Sequence, residues 1–248
     1  MKKRTIPAVF KSGRVFSLLL CGLLLLSVFP GAARAADLSK QNCEFECLRH
    51  CNIMTLKTNQ YTEGRPVIIF FPGKLECSKI VNTTNWIRKY QLYDHLNADV
   101  IAAAFRSDPL KPQDWKGPAE DLLNYLLEKH EASPFTVAVD AVSASGYGGC
   151  YLAQLFNENG ITVTELSLAD AVIPNYVTAE WITQIAAMGT RVSLWGCQAK
   201  GNMSEEARRL IAELEGTENV RGVVLDTPHG QVLHDAIYEY GLHAEFSE

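Results

Sequence analysis

Residues 136–149 read TVAVDAVSASGYGG, an apolar run that passes directly into a glycine-rich segment. The first seven residues are rich in Val and Ala and predict a strand that is buried on both faces, as the strands of parallel sheets are. We expect a helix to begin at Gly146 and to extend to about Asn157. Ser143 therefore lies where a buried strand turns into a helix.

The same alternation of strand and helix runs from Val67 to the end of the chain. Pro118 suits the first position of one helix, where its missing N–H costs nothing, and Ser204 and Gly216 predict the start and the end of another. The predicted fold class is α/β, a doubly wound, mostly parallel sheet with helices on both faces. The expected strands are 52–59, 67–71, 99–105, 136–142, 162–168, 191–195 and 220–225, and the other expected helices are 86–96, 178–188 and 231–245.

The first 35 residues have the pattern of a secretory signal peptide. Cationic side chains precede a charge-free apolar run over 15–29, and Ala33-Arg34-Ala35 supplies the small residues that a signal peptidase recognises. The run is short for a membrane span, which needs about 20 residues, so cleavage is favoured over a retained anchor. Lipid modification of Cys21 is a weaker alternative. We predict a mature chain that begins near Ala36, is secreted or extracytoplasmic, and has no stable membrane anchor.

The overall composition, 47% hydrophobic and 21% charged residues, allows an ordinary packed core. Of the 23 basic side chains, six lie in the first 35 residues, which contain no acid. The rest of the chain has 17 basic and 28 acidic side chains, which is a net charge of −11. Such an acidic body is a poor candidate for binding nucleic acid or anionic lipid surfaces. We expect no nucleic-acid partner.

Six cysteines follow the signal peptide. An even number in an exported protein predicts disulfide bonds, although the sequence does not fix the pairing. Three of them recur every four residues and would share one face of a helix; a metal or redox module there is a weaker interpretation, because the spacing matches no common zinc motif. We divide the chain into a signal peptide (1–35), a cysteine-rich N-terminal segment (36–51) and a main domain (52–248). The six are Cys43, Cys47, Cys51, Cys77, Cys150 and Cys197.

Ser143 is the candidate nucleophile. The run Ala141-Val142-Ser143-Ala144-Ser145 resembles the nucleophile elbow of the α/β-hydrolases, a tight strand-to-helix turn with small residues on both sides of the serine. Where this family often has glycines, the chain has Ala141 and Ser145. Ser145 is the alternative nucleophile, but Tyr147 would then occupy a position that needs a small side chain.

The resemblance implies a histidine base and an acid in the chain order Ser–acid–His. His229 follows the last predicted strand, where α/β-hydrolases place the base. The family's acid usually lies on the loop after the strand that corresponds to 191–195, but that position is Ala199 here. Asp170, at the end of the preceding strand, is the candidate substitute, since pancreatic lipases take their acid from that strand. Asp226 is an outside candidate.

The resemblance also implies an oxyanion hole and an open site. The amide of Ala144 is one expected donor, and that of Gly73 or Lys74 is the second. Residues 171–177 leave no room for the cap that larger relatives carry, as in minimal lipases, cutinases and small esterases. The resemblance extends from about residue 52 to residue 246.

These features predict a secreted serine hydrolase that cleaves a carboxylic ester, or less readily an amide, through an acyl-enzyme. The expected catalytic residues are Ser143, Asp170 and His229, the expected substrate is a small-molecule or lipid ester, and neither a metal nor an organic cofactor is expected. The alternative is a catalytically inactive binding or cell-envelope protein with the same fold. The sequence does not indicate the acyl-chain preference or the oligomeric state.

Overall fold

The computed structural model of the protein describes residues 43–56, 65–73, 87, 92–93, 96–105, 111–130 and 134–247. The predicted signal peptide, Lys74, Cys77 and most of the predicted helix 86–96 lie outside these residues. The described strands are β1 (Cys43–Cys47), β2 (Cys51–Leu56), β3 (Val67–Phe71), β4 (Asp99–Phe105), β5 (Thr136–Val142), β6 (Thr162–Ala169), β7 (Arg191–Cys197) and β8 (Val220–Leu225).

All eight strands form one sheet in the order β1-β2-β4-β3-β5-β6-β7-β8. The β1–β2 and β2–β4 pairings are antiparallel, and every other pairing in the sheet is parallel. The predicted mostly parallel sheet is therefore confirmed. The strands expected at 67–71, 99–105, 136–142 and 220–225 have the predicted bounds.

Helices cover both faces of the sheet, as the doubly wound interpretation requires. Residues of α1 to α4 contribute to the apolar core on one face, and residues of α5 contribute to the core on the other. Along β5, Val137 and Val139 join the first core and Ala138 joins the second, because successive strand side chains point to opposite faces. The described α-helices are α1 (Lys116–Lys129), α2 (Gly146–Glu158), α3 (Ala179–Ala187), α4 (Asn202–Glu213) and α5 (Val232–Tyr238).

The sheet begins upstream of the predicted domain boundary at residue 52. β1 belongs to the same compact unit as the rest of the sheet and pairs with β2 in the register Cys47↔Asn52. Cys43, Cys47 and Cys51 therefore lie on two antiparallel strands and not on one helical face. The alternating pattern Cys-Glu-Phe-Glu-Cys is the period-two signal of a strand, and its two glutamates suit an edge strand.

The described cysteines form no disulfide bond. Cys47 is exposed, and Cys51, Cys150 and Cys197 are buried. The predicted disulfides are not shown among these residues and stay a prediction, and the side chain of Cys43 and all of Cys77 lie outside the described part of the chain. Strand and helix packing places the side chains of Cys51, Cys150 and Cys197 in the core, where a cysteine behaves as a small apolar side chain.

Two predicted helix ends differ from the structure. α4 begins at Asn202 with Gly201 as its N-cap, so Ser204 lies inside the first turn and does not cap the helix. α5 ends at Tyr238, well before residue 245. Gly241 and His243 both have a φ angle of +66°, which a helix does not accommodate, so the helix does not continue to residue 245. No helix in the described ranges is both long enough and apolar enough to cross a membrane.

Candidate active site

The three predicted catalytic residues follow the carboxyl ends of three strands. Ser143 directly follows β5, Asp170 directly follows β6, and His229 follows β8 after three intervening residues. Because β5, β6, β7 and β8 are neighbouring parallel strands, these ends lie at one edge of the sheet. Ligand sites of doubly wound folds form at this edge.

Ser143 has the backbone conformation of a strained turn. Its φ angle is 58°, in the left-handed region that an L side chain rarely adopts. The backbone turns through one 3-10 segment, Ser143–Ser145, and continues into α2. The side chain of Ser143 is partly exposed at the start of the helix. This is the geometry of the nucleophile elbow.

Ser145 stabilises the turn and is not available as the nucleophile. Its hydroxyl accepts the N–H of Val142 at 2.9 Å and lies 3.0 Å from the carbonyl oxygen of Phe71, to which it can donate. The side chain is 1% exposed. A buried hydroxyl with its hydrogen bonds satisfied within the turn does not reach a substrate, so Ser143 is the candidate that remains.

Gly73 lies directly against the elbow. A Cβ on this residue would lie 2.8 Å from the carbonyl oxygen of Val142, 3.0 Å from the Cβ of Ser143 and 3.4 Å from the amide nitrogen of Ala144. Its φ angle of +86° also favours glycine. The loop after β3 thus brings Gly73 beside the Ala144 amide, where the oxyanion hole is expected. Lys74, the other candidate donor, is outside the described residues.

Asp170 and His229 are in direct contact. Nδ1 of His229 lies 2.6 Å from Oδ2 of Asp170, whose side chain is fully buried. An ionised carboxylate only accepts hydrogen bonds, so Nδ1 carries the proton and Nε2 of the neutral imidazole is the free base. Asp226 is exposed, and the carboxylate that contacts His229 is that of Asp170.

Two further side chains donate to the same carboxylate oxygen. The hydroxyl of Ser204 lies 2.7 Å from Oδ2 of Asp170 and the thiol of Cys197 lies 3.2 Å from it. The other oxygen, Oδ1, is buried and has no hydrogen-bond partner among the described residues. No sequence signal indicates this role: Ser204 is predicted as a helix cap, and Cys197 is predicted as one of the disulfide cysteines.

The hydrogen bonds set the charge state of the pair. Burial by itself would raise the pKa of Asp170, but the hydrogen bonds from His229, Ser204 and Cys197 outweigh it and lower the pKa. The hydrogen bond to Asp170 raises the pKa of His229 above its ordinary value, against the opposing effect of burial. Asp170 is therefore ionised near neutral pH, and the imidazolium that a base forms on taking a proton is stabilised.

The loop after Asp170 packs against the start of α2. A Cβ on Gly146 would lie 1.6 Å from the carbonyl oxygen of Ala171, so only glycine permits this contact. The contact brings the acid-bearing end of β6 beside the elbow. In the parts of the chain that the structure describes, no cluster of three or more His, Cys, Asp or Glu residues could hold a metal ion.

Comparison with known proteins identifies the fold. No family model matches the chain, and no curated protein matches it. Solved structures do: a serine hydrolase without a lid from Xanthomonas campestris is 13% identical, with a TM-score of 0.56, and the match covers 83% of this chain and 95% of that one.

Two further solved structures agree with it. An alpha-beta hydrolase from Vibrio vulnificus is 15% identical over 86% of this chain and 84% of its own, with a TM-score of 0.57. An esterase from Pyrobaculum calidifontis is 14% identical over 94% of this chain and 95% of its own, with a TM-score of 0.55. The chain has the α/β-hydrolase fold, as its elbow sequence predicted.

Proposed function

We propose that the protein is a serine hydrolase that cleaves carboxylic esters through an acyl-enzyme. The observation that carries this proposal is the 2.6 Å contact between Asp170 and His229, at the sheet edge where Ser143 follows β5 in a strained turn. A serine, a base and a buried orienting acid are the three groups that acyl transfer to a hydroxyl requires. The site needs no metal or organic cofactor for this chemistry.

In the proposed mechanism, Oγ of Ser143 attacks the ester carbonyl and its proton passes to Nε2 of His229. The amide of Ala144, with that of Gly73 or Lys74, stabilises the oxyanion of the tetrahedral intermediate. His229 then gives the proton to the leaving alcohol, and the acyl group remains on Ser143. A water molecule activated by His229 attacks the acyl-enzyme, which releases the acid and restores the hydroxyl.

The structural neighbours support the choice of an ester. Solved structures with the same fold include an esterase from Pyrobaculum calidifontis and the carboxylesterase EstE1 from a metagenomic library, at 14% and 12% identity. An amide is a less favourable substrate in this proposal, because no motif of the chain points to a site for a peptide. The loop over 171–178 is too short to cover the elbow with a lid, which supports an open site.

A fluorophosphonate probe tests the proposal, because it labels only an activated serine. We expect the wild type to be labelled and to hydrolyse short esters, and Ser143→Ala to lose labelling and about 10³-fold or more of the activity. Ser167→Ala is the matched control: Ser167 is fully buried on β6, and its hydroxyl has no hydrogen-bond partner among the described residues. It should fold and be labelled like the wild type.

Two outcomes contradict the proposal. Labelling that persists in Ser143→Ala would place the nucleophile elsewhere. A correctly folded wild type that is neither labelled nor active would instead support the inactive binding or envelope protein.

A further inference from the structure

An aromatic cluster lies between α2, α3 and the loop that precedes α3. The ring centroids of Tyr147 and Trp181 are 5.1 Å apart, those of Tyr147 and Tyr176 are 6.2 Å apart in a T-shaped contact, and those of Tyr147 and Tyr151 are 6.4 Å apart in a stacked one. We call these four residues the aromatic cluster. Tyr147 is its centre, since each of the other rings contacts it.

The cluster adjoins the candidate active site through two chain connections. Tyr147 is the second residue of α2, only four positions after Ser143. Tyr176 belongs to the loop that leaves Asp170, and that loop touches the start of α2 where Ala171 meets Gly146. The cluster therefore begins beside the nucleophile and the acid and extends away from them along α2.

Three of the rings are fixed by the fold, and one projects. Tyr147, Tyr151 and Trp181 are partly buried and pack against the apolar core. The indole N–H of Trp181 donates to Gln154 at 2.7 Å, so this ring offers its π surface and not a free donor. Tyr176 is 44% exposed and is not part of that core. Its loop is held by N–H groups of Tyr176 and Val177 that donate to the carbonyl of Ile173 at 3.1 Å.

An exposed tyrosine ring keeps apolar surface in contact with water, and that surface contributes no hydrophobic stabilisation to the fold. Here the projecting ring stands edge-on to an anchored one, and a planar ring placed beside them would form the same T-shaped or stacked contacts that the cluster already contains. Tyr147 lies four positions after Ser143, and Tyr176 lies on the loop that follows Asp170, so such a ring would lie at the same edge of the sheet as the candidate nucleophile.

We propose that the aromatic cluster is a subsite for a planar aromatic ring of the substrate, so that the protein prefers aryl-bearing esters over saturated ones of the same size. The inference rests on the proposed function and adds the substrate class. The ring can belong to the acyl group or to the alcohol, since both flank the scissile bond. Tyr176 supplies the exposed wall of the subsite, and Tyr147 supplies its floor.

Matched esters separate these cases. Methyl benzoate against methyl cyclohexanecarboxylate tests the acyl side, and phenyl acetate against cyclohexyl acetate tests the alcohol side. Intrinsic leaving-group reactivity cancels when the kcat/KM ratio of each pair is compared between variants. In Tyr176→Ala we expect the aryl-to-saturated ratio of one pair to fall about three- to tenfold, the usual worth of an aromatic contact. Tyr176→Phe keeps the ring and should keep the ratio.

Tyr240→Ala is the control variant. Tyr240 is 45% exposed, and its ring contacts Trp195 at 5.8 Å on the other face of the sheet. Removing it takes away a ring of the same size and exposure from outside the cluster, so both ratios should stay at the wild-type values.

Binding to the Ser143→Ala variant provides a second measurement that needs no turnover. Saturation-transfer NMR should detect methyl benzoate or phenyl acetate more strongly than its saturated counterpart, and Tyr176→Ala in the same background should remove the difference. Unchanged ratios and unchanged binding in Tyr176→Ala would overturn the subsite, and so would an equal loss in Tyr176→Phe, which would assign the effect to the hydroxyl. If the aromatic esters bind preferentially but the wild type is neither labelled nor active, the proposed hydrolase function is refuted and the aromatic subsite is not.

Discussion

Asp170 is the residue at which this chain departs furthest from the α/β-hydrolase pattern. The acid follows β6, and the end of β7, where the family's acid is expected, instead contributes the thiol of Cys197. The Cys197 thiol, the Ser204 hydroxyl and Nδ1 of His229 are three donors to one carboxylate oxygen of Asp170. A carboxylate held in this way keeps a fixed position, and it keeps the imidazole of His229 in the tautomer that a base requires.

The charge on Asp170 should be visible in the pH dependence of activity. His229 must be neutral to act as the base, and its pKa is raised by Asp170, so the activity of the wild type should rise with pH through a pKa above the ordinary histidine value. Asp170→Asn removes the charge, which should lower that pKa and shift the acidic limb of the kcat/KM profile to lower pH. The rate at the plateau should fall about 10²- to 10⁴-fold because the tautomer is no longer fixed.

Asp226→Asn is the matched control for this experiment. The residue lies three positions before His229 but is exposed, and its carboxylate does not hold the imidazole. The profile of this variant should superimpose on that of the wild type. If the acidic limb of the kcat/KM profile stays in place in Asp170→Asn, or moves in Asp226→Asn, the assignment of Asp170 as the orienting acid is wrong.

At the level of elements, the site depends on how closely β6 and α2 approach. Gly146 has φ −58° and ψ −42°, an ordinary helical conformation in which alanine is normally favourable. Glycine is required at this position only because the carbonyl group of Ala171 occupies the space that a side chain would need. Gly148 has a similar reason, since a Cβ there would overlap the ring of Trp115 at 1.6 Å. The glycine run therefore reflects packing at the start of α2.

Gly146→Ala should destabilise the protein, although it raises the helix propensity of α2. Forcing a methyl group against the Ala171 backbone should lower the free energy of unfolding by about 2–3 kcal/mol and should move the elbow away from Asp170. Gly230→Ala is the control, because a Cβ at Gly230 meets nothing within 4 Å, and its effect should stay within about 0.5 kcal/mol. Urea denaturation of both variants gives the comparison, and equal stabilities would disprove the close contact.

At the level of the whole molecule, a buried polar group joins the C-terminal segment to the centre of the sheet. Nε2 of His243 lies 2.9 and 3.0 Å from the two carboxylate oxygens of Asp140 on β5, and the hydroxyl of Tyr93 donates to the same carboxylate at 2.7 Å. His243 is fully buried. This contact spans 103 positions of sequence, so it forms only when the C-terminal segment has packed against the central strand.

The pair should make stability depend on pH. Burial would lower the pKa of His243, but the charge and hydrogen bond of Asp140, with the charges of Glu165 and Glu245, raise it. A raised pKa means that the contribution to stability is complete below the unfolded value of about 6.5 and is lost as pH rises through the folded value. The free energy of unfolding should therefore fall as pH is raised above neutrality.

His243→Gln tests this linkage. The variant keeps a donor to Asp140 but no titratable group, so it should lose about 2 kcal/mol at pH 6 and show a shallower decline at higher pH. Some slope should persist, because His229 also has a raised pKa. His234→Gln, at a partly exposed position, serves as the control. A decline as steep in His243→Gln as in the wild type would show that another group is responsible.

The sequence was most informative where the signal is local. The predicted strands β3, β4, β5 and β8 have their observed bounds. β3, β4 and β5 are mostly apolar because a strand buried on both faces admits few polar residues. The turn at Ser143 was also local, since small residues must surround a tight bend. β1 was missed although its alternation of apolar and acidic residues was present, because the cysteine spacing suggested a helix. The export signal and the catalytic roles stay predictions.

By itself the sequence determined the fold class, the chain order of the described strands and helices from β2 onward, and the strand ends at which reactive side chains stand. Periodicity and turn chemistry act within about ten residues, so they are readable from the chain alone. Only the tertiary structure decided which side chains meet: that Asp170 contacts His229, that Ser204 supports it and caps nothing, and that His243 reaches Asp140. Contacts between residues far apart in the chain depend on strand register and helix packing, which residue types do not encode locally.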